Sequence, residues 1–376
     1  MAAPSADSPK VIAPMDVAGR LDRLRAAFEK DSVDGLVVTA MTNIRYLTGF
    51  TGSSALLLVL GTEAVLVTDG RYATQSAEQL AAAGVVVRIE IAPAVEQRRV
   101  AASSVGAAGP RRLGLEASHV TWARQRSFAA DWFPSEELVA TTGLVESLRR
   151  VKDEGELGRL GRAAAISDLA LSEVRPLLDD GLREVDLGRA LDYEMRRLGA
   201  DGPAFETIVA CGPNAAMPHH RPGDRRIAAG EPVVVDFGAV YDGYRSDMTR
   251  TLWVGGVRDA DLRRAIRVVT ESQAAGVAAV TAGVAAAAVD RTCRDVIAAA
   301  GWGEAFVHGT GHGVGLDIHE APSVAATSVD TLQRGHVVTV EPGIYLPGLG
   351  GVRIEDTVVV TDVGSRPLTT TPKDRL

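Results

Sequence analysis

Residues 233–253 read VVVDFGAVYDGYRSDMTRTLW, and residues 337–360 read VVTVEPGIYLPGLGGVRIEDTVVV. Each is an apolar run ending in a carboxylate, then a glycine two residues on, a tyrosine, a turn, and a second run holding another carboxylate. Aspartate followed by glycine commonly closes a strand, so Asp236 alone would be a turn residue. The repeated order makes Asp236, Asp247, Glu341 and Glu355 a set. Both second runs alternate as strands do, and residues two apart share a face. Arg245, Asp247 and Thr249 are therefore expected on one face, and Arg353, Glu355 and Thr357 on another. Four gathered carboxylates would repel and raise one another's pKa unless cations sat between them, and two divalent metal ions would supply that charge.

The duplication extends outward from these runs. The first half is expected to run as a helix over 153–175 ended by Pro176, a helix over 186–198 capped by Gly199, the strand FETIVA, and the strands carrying Asp236 and Asp247. The second half repeats the order with helices over 259–281 and 286–300, a strand near 305–307, and the strands carrying Glu341 and Glu355. Such a repeat predicts two similar halves about a pseudo-two-fold axis, with the acids meeting on it. The charged segment SLRRVKDEGEL at 147–157 reads as a boundary. Residues 16–146 form a separate α/β unit: a helix with Leu21, Leu24 and Phe28 on its apolar face, the strands GLVVTA, ALLLVL and AVLVTD, and a helix over 75–83. The second unit spans 153–376, giving an α/β (α+β) chain of two domains. The stretch NIRYLTGFTGSS at 43–54 reads as a loop with Arg45 and Tyr46 exposed, either a plain connection or one wall of a substrate pocket.

Five of the 7 histidines fall in two clusters, His219 and His220 in MPHHRP, and His308, His312 and His319 in HGTGHGVGLDIH. Glycines at 309, 311, 313 and 315 argue against a helix, so the His308/His312 pair is not a helical zinc-protease motif. Glycine lets the backbone approach closely and leaves His312 room to reach a metal. A donor set of four carboxylates and one imidazole is oxygen-rich and favours Mn²⁺, accommodating Co²⁺, Fe²⁺ or Zn²⁺. Two such ions about 3.5–4 Å apart would lower the pKa of a bridging water and polarise a carbonyl or phosphoryl oxygen.

Composition sets outer limits. The formal net charge of −8 gives no support to nucleic-acid or anionic-membrane binding. The 2 cysteines, Cys211 and Cys293, have no CxxC spacing, so neither a disulfide framework nor a thiolate zinc site is indicated. The lead-in MAAPSADSPKVIAPMD lacks a signal peptide's apolar core and reads as frayed, and the Ala-rich run 276–289 falls short of a membrane span. A cytoplasmic protein is expected.

Asp236, Asp247, His312, Glu341 and Glu355, in the contexts VVDFG, SDMTRT, HGTGHGVG, EPGIY and VRIEDT, resemble the five metal ligands of the pita-bread metallopeptidases. Within that family the chain is similar to the aminopeptidase P and prolidase branch, whose smaller creatinase-like N-terminal domain NIRYLTGFTGSS and VTDGRY match. The resemblance implies two divalent ions per chain, a homodimer, and hydrolysis of the bond before proline in peptide substrates. It further implies that His219, rather than His220, contacts substrate near the metals, that His308 lines the proline side, and that His319 hydrogen-bonds the reacting carbonyl. Arg353 matches the arginine beside the last ligand, and Glu341 would double as proton shuttle.

Methionine aminopeptidases share the five ligands but leave residues 16–145 unexplained. Creatinases share the fold without the metal site, and a non-enzymatic binding module would be expected to lose ligands first. Between an aminopeptidase and a dipeptidase the sequence offers Arg45, Arg221 and Arg353 as candidate carboxylate partners, with Arg225 and Arg226 near Arg221. With no dedicated clamp identifiable, the expectation leans to an Xaa-Pro aminopeptidase, with the Xaa-Pro dipeptidase as alternative.

Overall fold

The computed structural model describes residues 12–178 and 181–374, so the lead-in over 1–11 lies outside the described residues. The described residues divide into two compact units, one over Met15–Arg149 and one that starts at Arg150 and is joined by residues 12–14.

In Met15–Arg149 the elements are α1 (Arg20–Asp31), β1 (Gly35–Val38), α2 (Met41–Thr48), β2 (Ala55–Leu60), β3 (Ala64–Thr68), α3 (Ala73–Ala82), β4 (Arg88–Ile91), α4 (Ala94–Ala108), β5 (Arg112–Glu116), α5 (Trp122–Ser127), β6 (Glu137–Thr141) and α6 (Leu144–Arg149). They build one six-stranded sheet in the order β4-β3-β2-β1-β5-β6. Strands β1 and β3 are buried along their whole length, which is why they read as unbroken apolar runs. The expected loop over 43–54 begins instead as a helix: α2 ends where Gly49 turns left-handed at φ 76°. Tyr46, expected to be exposed, is buried, and its hydroxyl donates to the Leu148 carbonyl at 3.0 Å. Ile44 and Leu47 on the same short helix are fully buried, so burying this helix face takes Tyr46 inward.

The second unit runs α7 (Glu154–Val174), α8 (Glu184–Arg197), β7 (Gly202–Pro203), β8 (Ile208–Cys211), β9 (Pro232–Phe237), β10 (Ala239–Tyr241), β11 (Tyr244–Arg245) and β12 (Met248–Trp253). It then repeats with α9 (Ala260–Ala279), α10 (Ala286–Ala299), β13 (Gly311–Gly313), β14 (Glu320–Val324), β15 (Val337–Val340), β16 (Gly343–Leu346), β17 (Gly350–Arg353), β18 (Asp356–Thr361) and β19 (Gly364–Pro367). Helix α7 starts on a capping box: Asp153 accepts from the Glu156 N–H at 2.8 Å, and the Glu156 carboxylate accepts from the Asp153 N–H at 3.0 Å. Each half has its own apolar core: Leu171, Leu187 and Leu191 pack with Val233, Val235 and Leu252, while Val269, Val289 and Ile297 pack with Val338, Val340 and Val358. The sheets are β12-β9-β8 in the first half and β14-β13-β15-β18-β19 in the second. The strand expected near 305–307 is absent. Gly303–Ala305 forms a single 3₁₀ turn, and Arg294 of α10 ties the carbonyls of Phe306 and His308 to the helix, drawing this segment away from strand pairing. Among the described residues no helix is long and apolar enough to cross a membrane.

One buried histidine in this unit makes its stability pH-dependent. His336 is 1% exposed, and burial, followed by the charges of Arg150 and Lys152, pushes its imidazole down to about 4. Its folded pKa lies below the unfolded value of about 6.5, so the stability it confers is complete above that value and is lost as the pH falls toward about 4. The loss amounts to about 3 kcal/mol for a shift of this size. Urea unfolding of the wild type and His336→Asn between pH 7 and pH 4 should show the wild type losing about that much more. Parallel profiles would contradict the assignment.

Candidate metal centre and active site

The two halves are stitched together by threonines. Strands β9 and β12 pair with Asp236 opposite Thr249, and β15 and β18 pair with Thr339 opposite Thr357. Across the seam Thr251 Oγ donates to the Arg353 carbonyl at 2.8 Å, Thr357 Oγ to the Asp247 carbonyl at 2.8 Å, and the Glu355 N–H to the Thr249 carbonyl at 3.1 Å. These bonds correct one expectation. Asp247 and Glu355 do not sit inside continuous strands but in two-residue breaks, 246–247 and 354–355, where the backbone leaves its own ladder to bond the other half. The breaks turn acids from both halves toward one point.

At that point Asp247, His312 and Glu355 each offer a ligand atom within 4.8 Å of the others. His312 Nε2 lies 3.3 Å from Glu341 Oε1 and 3.6 Å from Asp247 Oδ2. Its Nδ1 is 3.0 Å from the Gly313 carbonyl, to which it donates, so Nε2 is the ring nitrogen that faces the two carboxylates. Such a contact needs positive charge between the groups, from a proton on Nε2 or from a bound cation. Asp236 Oδ1 and Glu355 Oε1 are buried without a hydrogen-bond partner. Burial, then the charges of Glu355 and Asp236, pushes the Asp247 carboxyl well up, and burial, then Glu341 and Asp236, does the same to Glu355. Arg353 answers part of this charge, donating to Asp236 Oδ2 at 2.6 Å and to Thr249 Oγ at 3.2 Å. The orphaned oxygens, the imidazole nitrogen facing the acids and the hard donor set fit divalent cations held by these five side chains.

A cavity of about 630 Å³ opens above the acids, walled by Phe205, Ile208 and Ile318 on its apolar side and bearing His219, His308 and His319. His308 donates from Nδ1 to the Gly309 carbonyl at 2.7 Å and accepts at Nε2 from the Tyr345 hydroxyl at 2.8 Å, which in turn accepts from Arg353 at 2.8 Å. Burial pushes the Tyr345 phenol up to about 12. The rings of His319 and His312 meet edge to face with centroids 4.3 Å apart. His220 Nε2 is taken by the buried carboxylate of Glu184 at 2.9 Å, while the His219 side chain has no such partner among the described residues. Of the three neighbouring arginines, Arg221 lines the cavity, with Nε 3.2 Å from Glu206. Arg225 is held by Glu231 and the Cys211 carbonyl, and Arg226 by the Gly181 carbonyl. Tyr345 and Glu184 were missed in the sequence, where a tyrosine after glycine and a glutamate opening a helix look ordinary.

The fold recurs in known proteins. The profile of metallopeptidase family M24 matches residues 158–362, and that of the creatinase/prolidase N-terminal domain matches residues 20–151. The chain is 33% identical over 362 residues to the Xaa-Pro dipeptidase of Pyrococcus furiosus, covering 95% of this chain and 99% of that one. Among solved structures, an Xaa-Pro dipeptidase from Bacillus anthracis superposes with a TM-score of 0.90 at 37% identity, over 94% of this chain and 98% of that one. An X-Pro aminopeptidase from Thermotoga maritima gives 0.85 at 31%, over 93% and 99%. The doubled helix pairs and strands about the acids are thus the pita-bread fold, and the chain belongs to metallopeptidase family M24, in the Xaa-Pro peptidase branch that carries a creatinase-type N-terminal domain.

Proposed function

We propose that the protein is an Xaa-Pro dipeptidase, hydrolysing the bond before a proline that bears a free carboxylate. The observation carrying this reading is Arg221, a cavity-lining cation whose side chain is 82% exposed and whose one anionic partner, Glu206, is itself 63% exposed and easily displaced. Arg353, the other cation lining the cavity, is spent on Asp236, Thr249 and Tyr345. The names of the Pyrococcus and Bacillus relatives point the same way.

Asp236, Asp247, His312, Glu341 and Glu355 would hold two divalent cations, with Mn²⁺ best suited to the oxygen-rich set; when bound, these polarise the scissile carbonyl and make water acidic enough to attack at neutral pH. The chain's own groups supply the rest. His319, ring to ring with His312, and His219, at the cavity wall, would donate to the carbonyl oxygen as negative charge gathers there. Glu341, held by Thr339 Oγ at 3.3 Å, is placed to pass a proton to the prolyl nitrogen, a leaving group with no N–H of its own. Arg353 orients Asp236 and, through Tyr345, locks the His308 ring at the wall that faces the proline.

A cavity of about 630 Å³ is larger than a dipeptide and favours a second reading, an Xaa-Pro aminopeptidase acting on longer peptides. Comparing Ala-Pro, Ala-Pro-Ala and Ala-Ala-Ala at saturating Mn²⁺ separates them. The dipeptidase reading expects kcat/KM to fall about tenfold from Ala-Pro to Ala-Pro-Ala, because the added residue takes the proline carboxylate away from Arg221. Arg221→Met should then raise KM for Ala-Pro about tenfold with little change in kcat. Equal or faster cleavage of Ala-Pro-Ala would install the aminopeptidase, and equal rates on Ala-Ala-Ala would remove proline specificity.

A further inference from the structure

In each half of the catalytic unit, the second helix of the pair sets one buried carboxylate beneath the segment that bears that half's histidines. In the first half this is Glu184, at the start of α8 and 0% exposed. Its Oε1 accepts from the Cys211 N–H at 2.8 Å and from Asn214 Nδ2 at 3.0 Å, and its Oε2 from the Gly223 N–H at 3.2 Å and His220 Nε2 at 2.9 Å. Burial alone would raise this carboxyl, but the donors outweigh it and hold it below its ordinary value. Donors spread over residues 211–223 converge on one side chain, which therefore sets the course of the loop between β8 and β9. That loop carries His219 and Arg221 into the cavity, and its Pro218 carbonyl accepts from Arg353 at 3.3 Å.

In the second half the buried carboxylate is Asp290, one turn into α10 and also 0% exposed. Its Oδ1 accepts from the Thr310 N–H at 3.0 Å, and Arg294 binds both oxygens at 2.7 and 3.2 Å. The same arginine reaches the carbonyls of Phe306 and His308 and covers the Phe306 ring at 4.3 Å. The Thr310 carbonyl then accepts from the Glu341 N–H at 2.7 Å, so one aspartate fixes the approach to both His312 and Glu341.

We propose that Glu184 and Asp290 are both positioning residues, Glu184 for the substrate-facing loop and Asp290 for the metal-facing segment. Neither lines the cavity; each acts through the backbone it holds. The proposal rests on reading the site as a metal-dependent peptidase. The negative charge is what makes the device work. A glutamine at 184 must aim its NH₂ at either the Cys211 or the Gly223 N–H, and an asparagine at 290 must turn its NH₂ either on Arg294 or on the Thr310 N–H.

The test is a dissociation between two readouts in Glu184→Gln and Asp290→Asn, each assayed well below its unfolding temperature. One readout is Mn²⁺ affinity, with the visible absorption of the Co²⁺ form; the other is kcat and KM for Ala-Pro and Ala-Pro-Ala. Glu184→Gln should keep wild-type metal affinity and Co²⁺ spectrum while kcat/KM falls about 10- to 100-fold, and Asp290→Asn should weaken Mn²⁺ binding about tenfold or more and change the spectrum. Asn214→Ala removes one donor to Glu184 and should give an intermediate loss of about three- to tenfold, keeping the test decisive if Glu184→Gln does not fold. Loss of metal in step with activity in Glu184→Gln, unchanged kinetics in both first-half variants, or unchanged metal affinity in Asp290→Asn would overturn the proposal. Failure of the peptidase reading would look different: a wild type inert on both peptides, with the metal arm of Asp290→Asn still readable.

Discussion

Glu355→Gln, and separately Asp247→Asn, should leave a folded protein that retains no metal and has lost at least about 10⁴-fold in kcat/KM. In the metal-free protein these two carboxyls are pushed up by burial and by their neighbours' charges, so the cluster opposes its own ionisation. A bound dication reverses that, and the affinity it gains is energy the fold shares. The amide in Glu355→Gln keeps an oxygen for the Thr249 hydroxyl, which donates to Glu355 Oε2 at 2.8 Å, while removing one charge from a repelling group. Metal-free Glu355→Gln should therefore melt no lower than metal-free wild type, although only the wild type should gain in Tm when Mn²⁺ is added. His219→Ala provides the contrast, keeping its metals and losing turnover. Elemental analysis and thermal melts with and without Mn²⁺ decide the matter. A Glu355→Gln protein still holding two metals would remove that residue from the ligand set.

The sequence made these acids legible because they are duplicated. One Asp-x-Gly is a turn, but the same order of acid, glycine, tyrosine and acid in two places is a constraint that turns alone do not impose. Helix pairs were legible for a similar reason: Pro176, Gly199 and Gly301 punctuate strong apolar periodicity, and α7, α8, α9 and α10 fall within two residues of their expected bounds. Local alternation hid the breaks at 246–247 and 354–355, because the partners that cause them, Thr249 and Thr251 against Glu355 and Arg353, lie about a hundred residues away in the chain. In α2, Gly49 was read as loop punctuation when it is a helix cap, and a helix of 8 residues gives periodicity too little length to speak. Glu184 and Asp290 stand on amphipathic helices where an acid is ordinarily solvated. Only tertiary structure distinguishes them from Glu154 or Asp261 on the neighbouring helices.

Gly311→Ala should be strongly damaging for a single added methyl, lowering stability by about 3 kcal/mol and metal affinity by at least about tenfold. A Cβ there would stand 2.1 Å from the Thr339 carbonyl oxygen and 2.7 Å from Thr339 Oγ. The first is backbone of β15 and cannot rotate away, so β13 and β15 must separate. Thr339 Oγ accepts from the His312 N–H at 3.0 Å and donates to Glu341 Oε1 at 3.3 Å, so the movement falls on a candidate metal ligand at each end. The glycine is required by closeness alone, since its φ is not in the left-handed region. Gly161, inside α7, separates this from a general effect of adding a methyl: its Cβ would meet only Leu368 Cδ2 at 4.0 Å, and Gly161→Ala should raise stability by about 1 kcal/mol through helix propensity. Urea unfolding and Mn²⁺ titration of the two variants should move in opposite directions from wild type in stability and diverge in metal binding. Were Gly311→Ala to retain both, β13 could yield to the methyl without moving His312, and the close packing of β13 on β15 would not be what aims that imidazole at the acids.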